Sequence, residues 1–280
     1  MAELARAIAE KRVILFVGSG VSASLGTPDW SGLIDHMGEE LGYDPDLFSS
    51  ASNSYLTLAE YYRIKVDSIG PLRSWMDTHW HVSKEKLKNS AIHKLIIDLD
   101  FPLIYTTNFD RFLEQTHDLH RKPYTKIANV RDIREAREGQ TQIIKLHGDF
   151  DDDKSLVITE SNYFERLSFE SPLDIKLRAN SLGRSLLFIG YSLSDINIRL
   201  LLYKLSQTWT NSGLRQHRPP SYLFQHRPDP IQEAVMNEWG VRFLTEDVDD
   251  PGTALTAFLE KLARAATPAL GCASGDGETP

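Results

Sequence analysis

Four strongly apolar stretches, each halted by glycine or polar residues, set the strongest limit on how this chain folds. Val13-Ile14-Leu15-Phe16-Val17 runs into Gly18-Ser19-Gly20, and Leu103-Ile104-Tyr105 into Thr106-Thr107-Asn108-Phe109-Asp110. Ile143-Ile144-Lys145-Leu146 runs into His147-Gly148-Asp149, and Leu186-Leu187-Phe188-Ile189 into Gly190-Tyr191-Ser192. None alternates polar with apolar residues, so each reads as a strand covered on both faces, as in parallel sheets. Ligands of open α/β sheets sit beyond the carboxyl ends of the strands. These four ends are therefore expected to converge on one crevice and to furnish it with glycines, an amide, a carboxylate and an imidazole.

The strands are separated by amphipathic segments, which predicts an α/β, Rossmann-like fold: a mostly parallel sheet with helices on both faces. Leu4 and Ile8 mark a first helix over 3–12, and Ser31 is placed to cap a helix running through Leu33, Ile34, Met37 and Leu41 to Gly42. Residues 44–100 break the strand–helix rhythm with helical segments at 55–62, 72–76 and 93–99, and read as a helical insertion covering the crevice. An acidic turn at 149–154 precedes a short strand over 156–159. Helices follow from Ser161, over 173–182 and beyond Ser192; strands at 221–224 and 241–244 flank another, and a last helix covers 254–264. The expected organisation is one domain over 1–266 carrying the insertion, then a disordered tail over 267–280.

Composition narrows the function classes. Apolar residues make up 41% of the chain and charged ones 25%, ordinary for a globular protein. No run approaches the about 20 apolar residues that cross a bilayer, and the start lacks a secretory apolar core. A cytoplasmic protein without a membrane partner is expected. The formal charge of −8 argues against direct nucleic-acid binding, which needs a basic surface. A single cysteine, Cys272, excludes an internal disulfide framework and a thiolate zinc cluster, and His79 and His81 lack a third partner, so no metal is expected. Neither an esterase Gly-x-Ser-x-Gly elbow nor a P-loop occurs. Trp75, Trp80 and Trp209 suit either an interface or the core.

Gly18-Ser19-Gly20-Val21-Ser22 sits where a strand turns toward a helix. Glycines there let backbone N–H groups approach a pyrophosphate, with Ser19 and Ser22 adding hydroxyls; a tight turn of positive φ is the alternative. Asn108 and Asp110, directly after a buried strand, are costly unless satisfied, so they either cap the next helix or face a ligand. Asp110 suits capping. Asn108 has less structural excuse, and its amide suits holding a hydroxyl, a ribose or a water. His147, at a strand end, suits general-base chemistry or a core position bonded to a backbone carbonyl.

In this order across 13–195, the segments resemble the sirtuin family. Residues 18–22 are similar to its Gly-Ala-Gly-x-Ser loop, and Gly26-Thr27-Pro28-Asp29-Trp30 to its Gly-x-Pro-Asp-Phe segment. Residues 106–110 are similar to Thr-Gln-Asn-Ile-Asp, His147-Gly148 to the catalytic His-Gly, and Gly190-Tyr191-Ser192 to Gly-Thr-Ser. The departures matter too. The four-cysteine zinc ribbon of protein-deacylating sirtuins is missing, Ser31 stands where those enzymes have Arg, and Thr107 where they have Gln. This pattern resembles bacterial sirtuin-like effectors that hydrolyse NAD in anti-phage defence, beside partners such as HerA-type ATPases or short Argonaute proteins.

The resemblance implies an NAD glycohydrolase, with NAD as substrate and His147 and Asn108 catalytic. It assigns Gly18, Ser19, Gly20 and Ser22 to the pyrophosphate and Asp29 and Trp30 to the nicotinamide end. Thr107 and Asp110 join the cofactor-binding set, Asp110 on the nicotinamide carboxamide, with Gly190 and Ser192 on the adenosine ribose. Asp195 and Asn197 suit either that last contact or helix capping. A homo-oligomer with a separate partner protein is a further implication. The alternatives are a non-catalytic scaffold binding NAD or ADP-ribose, and an NAD-dependent deacylase or ADP-ribosyl transferase, against which the missing zinc module counts.

Overall fold

The computed structural model describes residues 1–152, 155–168, 170–193 and 195–272, with backbone only for 268–272. Helix α1 (Ala2–Ala9) turns Leu4, Ala5 and Ile8 inward and leads into strand β1 (Val13–Val17), in which every residue is buried. Helices α2 (Ser19–Ala23), α3 (Trp30–Glu40), α4 (Pro45–Ser50), α5 (Tyr55–Val66), α6 (Gly70–His79), α7 (Lys84–Lys88) and α8 (Ala91–Leu99) fill the interval before strand β2 (Leu103–Thr106). Then come α9 (Phe112–Leu119), β3 (Tyr124–Ile127), α10 (Val130–Ile133) and β4 (Thr141–Lys145). Helices α11 (Glu160–Glu165) and α12 (Pro172–Leu182), strand β5 (Ser185–Ile189) and helix α13 (Ile196–Asn211) follow. Strand β6 (Ser221–Phe224), α14 (Pro230–Glu238), β7 (Val241–Leu244) and α15 (Pro251–Cys272) complete the chain's elements.

The strands form one parallel sheet in the order β3-β4-β2-β1-β5-β6-β7. β1 is the innermost, with Leu15 opposite Ile104 on one side and Leu187 on the other. Its side chains alternate between two cores. Val13, Leu15 and Val17 join α1, α8 and α15 on one face. Ile14 and Phe16 join α12 and α13 on the other, where Phe16 stacks between Tyr105 at 5.3 Å and Phe188 at 4.6 Å. From β1 the chain moves outward toward β2 and returns to β5 on the opposite side, a reversal that opens a crevice beyond their carboxyl ends. A third core packs α3, α5 and α6 against Phe109, Phe150 and Ile158, so α5 and α6 of the 44–100 segment cover the loops, while α8 packs on the sheet.

Several expectations are corrected locally. The cap of α3 is Asp29, whose Oδ1 accepts from the N–H groups of Ser31 at 3.0 Å and Gly32 at 3.2 Å; Ser31 lies inside the first turn. Residues 156–158 are buried but unpaired as a strand; the Val157 N–H donates to the His147 carbonyl at 3.0 Å, and Thr159 caps α11. Edge strand β3 was not foreseen, because a half-exposed edge needs no apolar run. Helix α15 reaches Cys272, past the expected end at 264, and 273–280 lie outside the described residues. Trp75 stacks with His36 and His79, and Trp80 with Phe109; both pack against the third core.

Phe16 is fully buried at the centre of this arrangement. Phe16→Ala should therefore cost about 3–5 kcal/mol, read as a lower urea midpoint; a midpoint equal to the parent's would contradict this packing.

Candidate functional site

The carboxyl ends of β4, β2, β1 and β5 lie side by side and form the floor of a cavity of about 400 Å³. That size lies within the range of small-molecule and cofactor sites. Gly18, Ser19, Ser22, Asp29, Trp30, Thr107, Asn108, Asp110, His147, Gly190 and Ser192 all line it. Gly20 does not. It stands behind the wall, where its N–H donates to the Gly190 carbonyl at 3.0 Å. The reason is a tight contact between the β1 and β5 loops. A Cβ on Gly18 would meet the Gly190 carbonyl at 2.3 Å, and one on Gly190, itself at φ +63°, would meet the Val21 nitrogen at 2.6 Å. Gly18 has φ −100°, so close approach and not positive φ calls for glycine there. The N–H groups of Gly18, Gly20 and Val21 are all engaged by backbone carbonyls, which reduces the amide cradle expected of this loop.

Asn108 is fixed from both ends. Its backbone N–H donates to Thr106 Oγ1 at 3.0 Å, and that hydroxyl donates to the Val17 carbonyl at 2.8 Å. Its Nδ2 donates to the Gly18 carbonyl at 3.1 Å and to Ser22 Oγ at 3.0 Å, and Ser22 passes its own proton to Asp110 Oδ2 at 2.6 Å. Both amide protons are thus used within the protein, and Oδ1 is the end left to accept from a ligand. Asp110 Oδ1 accepts from the Phe112 N–H at 3.1 Å, a bond to the first residue of α9 from one position before its N-cap, Arg111, and this coexists with its place on the cavity wall. Thr107 Oγ1 and the Tyr191 hydroxyl lie 2.7 Å apart.

Beneath these loops lies an ion cluster. Lys145, at the end of β4, has no solvent exposure. Its Nζ donates to the carbonyls of Phe109 at 3.0 Å and Asp110 at 2.5 Å, and lies 3.3 Å from Glu114 Oε1 and 3.4 Å from Asp149 Oδ2. Burial alone raises the Asp149 carboxyl, but Lys145, the Asp151 N–H and Lys126 outweigh it and hold the group below its ordinary value. For Glu114 burial wins over Lys145, and its pKa is raised. The signal was present in sequence as one cation inside an apolar run.

His147 is 4% exposed. Its Nε2 lies 3.4 Å from Asp195 Oδ2 and its Nδ1 3.5 Å from the Tyr163 hydroxyl. Burial first, and the Arg166 guanidinium second, push the imidazole well below 6.5, so it is neutral at neutral pH. Arg166 itself donates to the Leu146 carbonyl and to Asp174. Asp195 caps α13, with Oδ1 accepting from the N–H groups of Asn197 at 2.8 Å and Ile198 at 3.3 Å. Asn197 is buried off the cavity wall.

The upper wall comes from α5, α11 and the start of α13: Tyr55, Leu56, Glu160, Tyr163, Phe164 and Ile196. The sequence reading missed all six as site residues, since nothing local marks a helix as a wall. Helix α5 grips α11 through Glu60, which accepts from the Ser161 N–H at 3.0 Å, and through Thr57, whose hydroxyl donates to Glu160 at 3.3 Å. Burial pushes the Glu60 carboxyl up, but its bonds from Ser161 and Arg63 outweigh this and hold it at about 2. Among the described residues no group of three His, Cys, Asp or Glu is placed to hold a metal ion, and no helix is long and apolar enough to cross a membrane.

Comparison with known proteins supplies the lineage of this arrangement. The pattern described as a SIR2-like domain matches residues 102–244, just over half of the chain. The chain belongs to the SIR2-like family. This SIR2-like chain is 28% identical over 230 residues to NAD(+) hydrolase ThsA of Enterococcus faecium, covering 79% of this chain and 44% of that protein. It is 23% identical over 233 residues to NAD(+) hydrolase ThsA of Bacillus cereus, covering 82% and 47%. It is 26% identical over 234 residues to defense-associated sirtuin 2 of Bacillus subtilis, covering 80% and 22%. The chain spans less than half the length of each of these relatives. Among solved structures, a Sir2 homologue variant in complex with 2′-O-acetyl ADP ribose matches with a TM-score of 0.51 at 15% identity, over 96% of this chain and 97% of that one, a likeness of fold.

Two outcomes follow from the buried charges. Lys145→Met leaves Glu114 and Asp149 without their shared cation and should cost about 3–5 kcal/mol of stability, measured by urea unfolding; a loss under about 1 kcal/mol would show the cluster to be dispensable. His147 and His93 both have pKa values below 6.5, His93 at about 4, chiefly through burial. The unfolded chain then binds more protons in acid, so their stabilisation is complete above about 6.5 and is lost as pH falls toward about 4. The urea midpoint should drop between about pH 7 and pH 5, and drop less in His93→Gln.

Proposed function

We propose that the chain hydrolyses NAD at the nicotinamide–ribose bond, giving nicotinamide and ADP-ribose, as an NAD-depleting effector of anti-phage defence. Support comes from relatives named NAD(+) hydrolase and defense-associated sirtuin, matched over about four fifths of this chain. The observation that carries the reading is a neutral, buried imidazole and a carboxamide oxygen on adjacent strand-end loops, both lining one cavity.

The nicotinamide ring of NAD is cationic, so it leaves with the C1′–N electron pair as a neutral molecule. A water oxygen bonds the electron-poor C1′. Asn108 Oδ1 accepts from that water and fixes its direction, and His147 takes the proton released as the new bond forms. Asp110 has a remaining lone pair for the nicotinamide carboxamide, Asp29 and Trp30 close that end, and Thr107 and Ser22 brace the loop between. Ser19 is the group left to meet the pyrophosphate, with Gly18 giving it room; Gly190 and Ser192 face the adenosine ribose. On this reading, residues 1–266 act as one NAD-binding unit in the cytoplasm, the helices of 44–100 forming its lid wall. Self-assembly, and a separate partner such as a HerA-type ATPase or a short Argonaute, rest on the resemblance alone.

The test is chromatographic detection of nicotinamide after incubation with NAD. His147→Ala and Asn108→Ala should each lower the rate by ~10²–10⁴-fold. If both variants match the parent, the assignment of the chemistry is wrong.

A further inference from the structure

The two oxygens of Asp195 do different things. Oδ1 accepts from two of the first N–H groups of α13, those of Asn197 and Ile198, which is the capping role. Oδ2 is not needed for capping and lies 3.4 Å from His147 Nε2, with the carboxylate 11% exposed and the imidazole 5% exposed. Asn and Ser cap helices as well as Asp does. Only Asp leaves a second, anionic oxygen.

Other groups around this pair do not supply that charge. Helix α11 brings the Tyr163 hydroxyl to 3.5 Å from Nδ1, and the turn at 166–168 brings Arg166, whose charge faces both His147 and Asp195. The end of β5 brings Tyr191, bonded to Thr107. Asp174 neutralises Arg166 from the side of α12. Burial and a guanidinium both oppose a positive imidazole, so a base here is weak unless an anion meets its other nitrogen.

We propose that Asp195 is the positioning residue for His147, its Oδ2 holding the ring in the tautomer protonated at Nε2 and steadying the imidazolium formed when the ring accepts a proton. The proposal rests on the NAD-hydrolysis reading for its step. In that step the C1′–N bond breaks with its electron pair going to the nicotinamide ring, the water oxygen bonds C1′, and the water proton passes to Nδ1. Burial raises the Asp195 carboxyl and the Ile198 and Asn197 N–H groups and Arg166 oppose that rise; in the step the carboxylate accepts from the ring and gives up no proton.

The experiment uses the full chain with Asp195→Asn, which keeps the cap and the shape but removes the charge, and Asp195→Ser, which keeps the cap only. Nicotinamide release is followed against pH, and the His147 ring nitrogens by nitrogen-15 NMR, their signals assigned by loss in His147→Gln. Asp195→Asn should lower kcat by ~10²-fold with KM little changed, and move the acid limb of the rate profile to lower pH. Its His147 signals should show a changed tautomer balance and a lower pKa, and Asp195→Ser should behave like Asp195→Asn. Parent-like kcat, profile and ring signals in Asp195→Asn overturn the proposal, as does a raised KM with unchanged kcat, which would make Asp195 a ligand contact. Where the parent itself releases no nicotinamide, the hydrolysis reading fails and the ring signals alone decide: a shift in Asp195→Asn upholds the Asp195–His147 pairing, and no shift rejects it.

Discussion

A lysine ammonium sealed from water underlies both halves of the site. Lys145 ends β4 and reaches the carbonyls of Phe109 and Asp110, while Asp149, two residues past His147, binds the same nitrogen. Taking an ammonium out of water costs several kcal/mol, so the contacts must be held closely to offset it. That requirement fixes the loop carrying Asn108 relative to the turn carrying His147. Neither loop has a regular ladder beyond the strand ends to do this. The cluster gives the site its rigidity, and the apolar strands give it its location.

The helices between β1 and β2 act on the site from above. Among them α3, α4, α5 and α6 build a core of their own with Phe109, Phe150 and Ile158, all of which belong to loops leaving the sheet. The strand-end loops are therefore packed between two apolar layers, one at the sheet and one at the insertion. Through Glu60 and Thr57 the same insertion holds α11, which carries Tyr163 to the imidazole. The covering helices and the floor are mechanically joined at the His147 imidazole.

The sheet was legible because strands buried on both faces cannot hide: β1, β2, β5 and β6 match their apolar runs nearly to the residue. β3 was not, since Tyr124, Thr125 and Lys126 sit half exposed at an edge and only Ile127 is buried, so no such run exists. Residues 156–158 misled in the opposite sense, being apolar because they lie under the insertion, with no neighbouring strand to pair. Within the site, residues at strand ends were visible and those contributed by helices were not. Gly20 shows the limit of a motif, since spacing marks a glycine without telling whether it faces a ligand or another backbone. Asp29 and Asp195 show the limit of a capping signal, since both cap a helix and line the cavity.

One consequence lies in the sign of the cavity's electric field. Asp29, Asp110, Glu160 and Asp195 stand on its wall, and among the described residues no lysine or arginine does. Such a lining creates a negative potential that low-dielectric walls concentrate. A molecule entering it gains from a positive ring and loses from every added phosphate. That field favours the cationic ring of an oxidised nicotinamide over the neutral ring of a reduced one, and opposes each further phosphate on a ligand.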